Sequence, residues 1–281
     1  MKADLHLHST ASDGKLSPRQ LVRLAAAKGL EVMALTDHDT VLGVPEAQEE
    51  ARGFPGLRFI PGVEVATDVP KGEVHILGYF IDHHHPHLLA MLERQRNARV
   101  VRAQKMLEKL RGMGMPLEWG RVQELAQGES LGRPHIAQAM MEKGYVPDLK
   151  EAFVLYIGRD RPAYVSRDKL TPEEAVRLVL IGRGLPVLAH PLNMGQPNMQ
   201  EIIARLKREG LVGMEVYYNG YTEDQVRRLS YLARSLDLLT LGGSDYHGLE
   251  GGMDTAIGSL DLPRPAVEKL LALARPTPAK P

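Results

Sequence analysis

Cysteine is missing altogether from this chain of 281 residues. That excludes disulfides, thiolate zinc sites and any cysteine nucleophile. No apolar run approaches the length of a membrane span, and the first residues lack the apolar core of a signal peptide. A cytoplasmic protein without a membrane partner is therefore expected. An excess of either charge is also lacking, with 35 Lys and Arg against 35 Asp and Glu. Neutrality argues against a protein that coats nucleic acid, although a local basic face is compatible with it. What is present, 43% hydrophobic and 25% charged residues, is ordinary for a soluble globular protein. The length allows one large α/β domain or two small ones.

Short apolar runs alternate with amphipathic stretches. Residues 3–8, 32–36, 58–65 and 74–81 read as strands. Residues 18–28 read as a helix, with Ser17 as N-cap, Pro18 in the first turn and Gly29 as the stop. The rhythm resumes with helices over 172–183, 199–209 and 223–236, leading to strands over 185–189, 213–217 and 238–241. Strands alternating with helices predict parallel βαβ units, and this many of them predict an α/β barrel. Between residues 86 and 169 the pattern is almost entirely helical, with segments near 86–113, 118–126, 134–143 and 149–156. The expected division is a barrel from 1–85 and 170–275, a helical insertion over the active site at 86–169, and a frayed tail at 276–281.

In α/β barrels, reactive side chains gather where the C-terminal ends of the strands converge. This chain places metal-binding residue types there repeatedly. The first strand carries His6 and His8, with Asp13 just beyond, and residues i and i+2 of a strand point to one face. The second ends in Thr36-Asp37-His38-Asp39, the third carries Glu64, and the next carries His75. His190 and Pro191 follow the fifth strand, and Ser244-Asp245-Tyr246-His247 follows the last. A single histidine means little, but so many at one mouth would be expensive to desolvate without a purpose. Two or three divalent cations would more than balance Asp13, Glu64 and Asp245, so a loaded site would attract an anion such as phosphate. Mixed His and carboxylate ligation suits manganese, zinc or iron without choosing among them.

In order and spacing these motifs resemble the PHP (polymerase and histidinol phosphatase) superfamily. The resemblance implies a distorted seven-stranded β/α barrel and a trinuclear site. It would assign His6, His8, Glu64 and Asp245 to one metal, and let Glu64 bridge to a second held by His75 and His190. Asp13, His38 and His247 would hold the third. Gly132-Arg133-Pro134-His135 within a long helical insertion resembles the subgroup of nucleoside 3′,5′-bisphosphate phosphatases, which includes RNase AM-type 5′-3′ exoribonucleases. The resemblance implies a phosphoesterase acting on a small nucleotide or a short 5′-phosphorylated RNA through attack of metal-activated water. Glu64, Asp13, His247 and Arg133 would form the catalytic group, and Arg133 and His135 would bind substrate. No obligate protein partner is evident.

Two further features read as structural. The run His83-His84-His85-Pro86-His87 precedes a helix and reads as an exposed loop. Arg94, Arg96, Arg99, Arg102, Lys105, Lys109 and Arg111 lie along one helix and read as a solvated face in preference to an RNA track. A histidinol-phosphate phosphatase and a non-catalytic metal-stabilised module are the competing functions. The Gly-Arg-Pro-His element speaks against the first, and the full ligand pattern against the second.

Overall fold

A computed structural model of the chain describes residues 1–67, 69, 74–126, 130–166, 169–195, 198–248 and 256–274. The tail expected at 276–281 lies outside the described residues. Seven strands form one sheet in chain order: β1 (Ala3–Leu7), β2 (Val32–Leu35), β3 (Arg58–Thr67), β4 (Val74–Tyr79), β5 (Leu185–Leu188), β6 (Gly213–Tyr218) and β7 (Leu239–Gly243). Its two edges meet. The His8 amide donates to the Tyr246 carbonyl at 3.0 Å, and Leu7 and Tyr246 pair in parallel. A Cβ on Gly243 would lie 2.3 Å from that of His6, so only glycine lets β7 approach β1 this closely. The sheet is a nearly closed barrel, as the sequence predicts.

One strand breaks the uniform parallel pattern. β4 runs antiparallel to both β3 and β5, whereas the other neighbouring pairs are parallel. The reason is length: residues 68–73 are too few for the crossover of about a dozen residues that parallel pairing requires. The reversal matters for the site, because it carries the start of β4, with His75 opposite Ala66, to the end of β3. A parallel β4 would have put His75 at the wrong end.

Helices α1 (Pro18–Ala27), α2 (Val44–Ala51), α3 (Pro86–Gly112), α4 (Trp119–Ala126), α5 (Arg133–Glu142), α6 (Leu149–Ala152), α7 (Pro172–Ile181), α8 (Met199–Glu209), α9 (Glu223–Ser235) and α10 (Arg264–Leu273) complete the chain. Local chemistry sets several starts. Ser17 with Gln20, Thr171 with Glu174, and Thr222 with Gln225 form reciprocal capping boxes at α1, α7 and α9. Gly210 stops α8 in the left-handed region at φ 113°. Helices α2 and α10 are not legible as elements in the sequence. Ala47 of α2 joins Leu7, Leu21 and Met33 in one apolar cluster, and Val267 and Leu270 of α10 join Ala3, Leu5 and Ile60 in another.

Helices α3 to α6 and a π-helical turn, Phe153–Ile157, lie between β4 and β5. Met106, Leu110, Val122, Ile136, Met140 and Ile157 give them a hydrophobic cluster of their own. On α3 the buried positions Leu88, Leu92, Gln95, Arg99, Arg102 and Met106 recur at helical spacing and mark one inward face. The basic helix is therefore not simply solvated. Arg94, Lys105, Lys109 and Arg111 are exposed, but Arg99 and Arg102 are only 7% and 6% exposed.

Candidate metal centre

β1 brings His6 and His8 to the mouth of the barrel, where both rings are fully buried. The loop that follows is tied down by Asp37, whose carboxylate accepts from the Ser9 amide, the Ser9 hydroxyl and the Ser12 hydroxyl, all at 2.7 Å. This fixes the approach to Asp13. After β2 the chain pairs briefly with β3: the Glu64 amide donates to the Asp37 carbonyl at 3.1 Å, and the Asp39 amide to the Glu64 carbonyl at 2.9 Å. His38 is thereby held against Glu64. Three of the site's backbone positions lie in the left-handed region, Asp39 at φ 52°, His190 at 25° and Asp245 at 54°. Strain of this kind persists only where the surroundings impose it.

Every metal-ligand candidate named from sequence converges here. His6, His8, Glu64 and Asp245 form one set of close donor atoms, His8, Asp13, His38 and His247 a second, and His38, Glu64 and His75 a third. Glu64 lies at the centre. Its Oε2 is 3.2 Å from Nε2 of both His6 and His8 and 3.0 Å from His38 Nδ1. Its Oε1 is 2.7 Å from His75 Nδ1 and 3.1 Å from His190 Nε2. Asp245 Oδ1 lies 3.2 Å and 3.1 Å from the same two nitrogens of His6 and His8. His8 also lies close to Asp13, His38 and His247, and His38 also reaches Glu64.

The donor set fits divalent cations. His6 Nε2, His8 Nε2, Asp13 Oδ1, His38 Nδ1 and Glu64 Oε2 are buried without a hydrogen bond. Separations of 3.0 to 3.2 Å between them are those of donors sharing an ion at about 2.0–2.2 Å. Electrostatics agree. Burial opposes ionisation of Glu64, but His38, His6 and His75 overcome it and hold the carboxyl well below its usual range. Asp245 is depressed in the same way by His6 and His8, and Asp13 by His38 and His247. Burial disfavours protonation of His247, yet Asp13 and Asp245 push it up to about 10.

A second layer holds these donors, and it was not singled out in the sequence. Glu215 is fully buried on β6. Its Oε1 accepts from His6 Nδ1 at 3.1 Å and its Oε2 from the His190 amide at 2.8 Å. The signal was available as a lone carboxylate within Gly213-Met-Glu-Val-Tyr217. Tyr218 donates its hydroxyl to Asp245 Oδ2 at 2.7 Å. None of His83, His84, His85 and His87 enters a donor cluster among the described residues.

The insertion adds Arg133, whose guanidinium lies 5.5 Å from the Phe153 ring centre and 5.8 Å from that of Tyr164. It lines two cavities beside the donor clusters. His135 lies near Asp13 and His247. Its Nδ1 accepts from the Gly132 amide at 3.0 Å, closing the start of α5, and burial pushes its pKa down to about 4. The ring lines neither cavity.

Among known proteins, the PHP domain model matches residues 4–115. A 5′-3′ exoribonuclease of Haemophilus influenzae is 38% identical over 88% of this chain and 90% of its own length. A 3′,5′-nucleoside bisphosphate phosphatase of Chromobacterium violaceum is 34% identical over 89% of each. An amidohydrolase structure from that organism, solved with sulfate and no metal, superposes with a TM-score of 0.87 at 31% identity, over 97% of this chain and 96% of the other. With its barrel, its donor clusters and these relatives in agreement, the chain belongs to the PHP family.

Proposed function

We propose that this protein is a metal-dependent hydrolase that cleaves the 3′-phosphoester of nucleoside 3′,5′-bisphosphates and of 5′-phosphorylated oligoribonucleotides. The observation that carries the reading is Glu64, whose two oxygens join His6, His8 and His38 on one side to His75 and His190 on the other. The names of the Haemophilus and Chromobacterium relatives support the substrate class. The two substrates call for one reaction. Water adds to phosphorus and the ribose 3′ oxygen leaves with a proton. A bisphosphate then yields a nucleoside 5′-phosphate and inorganic phosphate. An RNA yields its first nucleotide and a shortened chain that still carries a 5′-phosphate.

His6, His8, Asp13, His38, Glu64, His75, His190, Asp245 and His247 would hold two or three divalent ions, of manganese, zinc or iron. Bound there, the ions would supply the Lewis acidity that activates water and neutralises phosphoryl charge. The chain's own groups do the rest. Glu64 stays ionised and fixes five histidines around it. Tyr218, whose pKa is pushed up by burial, keeps its proton and holds Asp245 in place. Arg133 lines the cavity facing His38, Glu64, His190 and Asp245, where its planar fork suits the phosphoryl oxygens. His135 supports it by closing the start of the helix that carries it. Residues 86–169 then act as a cap over the site.

No helix among the described residues is long and apolar enough to cross a membrane, in keeping with a cytoplasmic enzyme. The test is a substrate panel: adenosine 3′,5′-bisphosphate, 5′-phosphorylated and 5′-hydroxyl RNA, and histidinol phosphate. Turnover of the first two is expected. Preference for histidinol phosphate, or inertness of a metal-replete preparation on all four, would overturn the reading.

A further inference from the structure

A separate cavity of about 430 Å³ lies between α3 and α4 of the insertion, outside the metal centre. Trp119, the first residue of α4 and the only tryptophan of the chain, forms one wall, and Gln123 stands one turn further along the same helix. Glu93, Asn97 and Val100 recur at helical spacing on α3 and form the facing wall. Trp119 is half-buried and rests on the insertion's own hydrophobic cluster. Its indole is therefore held in place while part of its surface is left to the cavity. Asn97 and Gln123 are exposed, so their amides are open to a ligand from solvent.

This cavity adjoins the metal centre at two points. Arg96 lines it and donates to the Asp39 carbonyl at 3.2 Å, directly after the donor His38. Leu131 lines it as well, and the next residue, Gly132, borders the donor Asp13: a Cβ there would lie 3.7 Å from Asp13 Oδ2. The wall carries one carboxylate, Glu93, and one guanidinium, Arg96, so it is not built for an anion. It offers an aromatic face with amide donors and acceptors at its edge. That is the combination by which unpaired nucleobases are held, and the volume is within the usual range of small-ligand sites, about 300–1,000 Å³.

Resting on the reading of the site as a 3′-phosphoesterase that accepts RNA, we propose that this cavity holds a base of the leaving chain, downstream of the scissile phosphate. Trp119 stacks on the base, and Asn97 and Gln123 bond its edge. Every base has a π face, and an amide both donates and accepts, so the seat tolerates any sequence. A nucleoside bisphosphate has no downstream nucleotide and gains nothing from it. The cavity thus favours RNA over mononucleotides without touching the reacting phosphate.

The test uses the metal-loaded protein. Because Trp119 is the single tryptophan, its fluorescence reads the cavity directly. A 5′-phosphorylated tetranucleotide with a methylene in place of its first 3′ oxygen resists cleavage there, and it is expected to quench that fluorescence. An abasic sugar placed at each downstream position in turn should remove the quenching at one of them. Kinetics then compare kcat/KM for the first cleavage of the natural tetranucleotide with that for adenosine 3′,5′-bisphosphate. Trp119→Ala is expected to lower this ratio about five- to a hundredfold, the worth of one stacked base, and Trp119→Phe to keep most of it. Gln123→Ala, at an exposed position, is expected to lower it about severalfold and carries the comparison if Trp119→Ala fails to fold. Quenching indifferent to every abasic substitution, or variants that lose equally on both substrates, would overturn the proposal. Quenching that vanishes at one abasic position, in a protein that hydrolyses neither substrate, would instead overturn the phosphoesterase reading and leave the base site standing.

Discussion

Arg99 holds Asp39 through two nitrogens, Nε and Nη2, each 2.7 Å from carboxylate oxygen Oδ2. Asp39 follows His38 directly, takes the Ala66 amide on its other oxygen at 3.0 Å, and accepts from Arg96 on its carbonyl at 3.2 Å. A helix outside the barrel is thus latched to the loop that presents a donor histidine. The pair is buried, so replacing Arg99 with Met takes the guanidinium away from a buried carboxylate. A loss of about 3–5 kcal/mol in stability is expected, read as a fall in Tm. The double variant Arg99→Met, Asp39→Asn should recover part of it. A single variant as stable as wild type would show that the latch contributes nothing.

Glu64→Gln should be the most damaging single change at the centre. It weakens contacts to His6, His8, His38, His75 and His190 together, whereas replacing His247 removes one donor at the edge. Metal analysis should show bound ions lost and kcat lower by roughly a hundredfold or more, given that even outer-layer partners are worth about 10–100-fold. A Glu64→Gln protein with full metal content and near-normal kcat would contradict its central place.

Glu215→Gln keeps the shape but weakens the acceptor for His6 Nδ1 and the His190 amide. Metal affinity should drop about 10–100-fold, with activity restored by excess metal. A purely structural role would lower Tm without making activity depend on added metal.

The stability that the metals add should depend on pH. In the chelated protein His247 is raised to about 10 by Asp13 and Asp245 against burial. A raised histidine stabilises fully below its unfolded pKa, about 6.5, and that stability is lost as pH rises through about 10. Asp13, Glu64 and Asp245 are depressed, so their contribution is present above about pH 4 and lost on acidification below it. Metal ligation needs His247 neutral, so metal affinity rises with pH over the upper window. The Tm gap between loaded and chelated protein should widen from about pH 6.5 to 10; a constant gap would show that His247 does not exchange a proton for metal.

Much of the site was legible because barrel topology turns strand ends into neighbours. His6, His8, Glu64 and His190 could be paired with strands by apolar runs alone, and the short spacing of Asp245 and His247 did the rest. The strand reversal that delivers His75 is legible only from the short, helix-free link between the third and fourth strands, and a general expectation of parallel pairing passes over it. Arg99 and Arg102 were misjudged because a helix rich in Arg and Lys reads as solvated. Their inward face appears only when Leu92, Gln95 and Met106 are counted on the same side. Glu215 was overlooked within an otherwise apolar strand, where a lone buried carboxylate is itself a signal.

The most direct test is hydrolysis of adenosine 3′,5′-bisphosphate by the protein as purified, after exhaustive chelation, and after return of manganese, zinc or iron. Release of one phosphate with adenosine 5′-monophosphate as product is expected, abolished by chelation and restored by at least one of the metals. Full activity in the chelated protein, or release of the 5′-phosphate instead, would contradict a metal-dependent 3′-phosphoesterase built around Glu64.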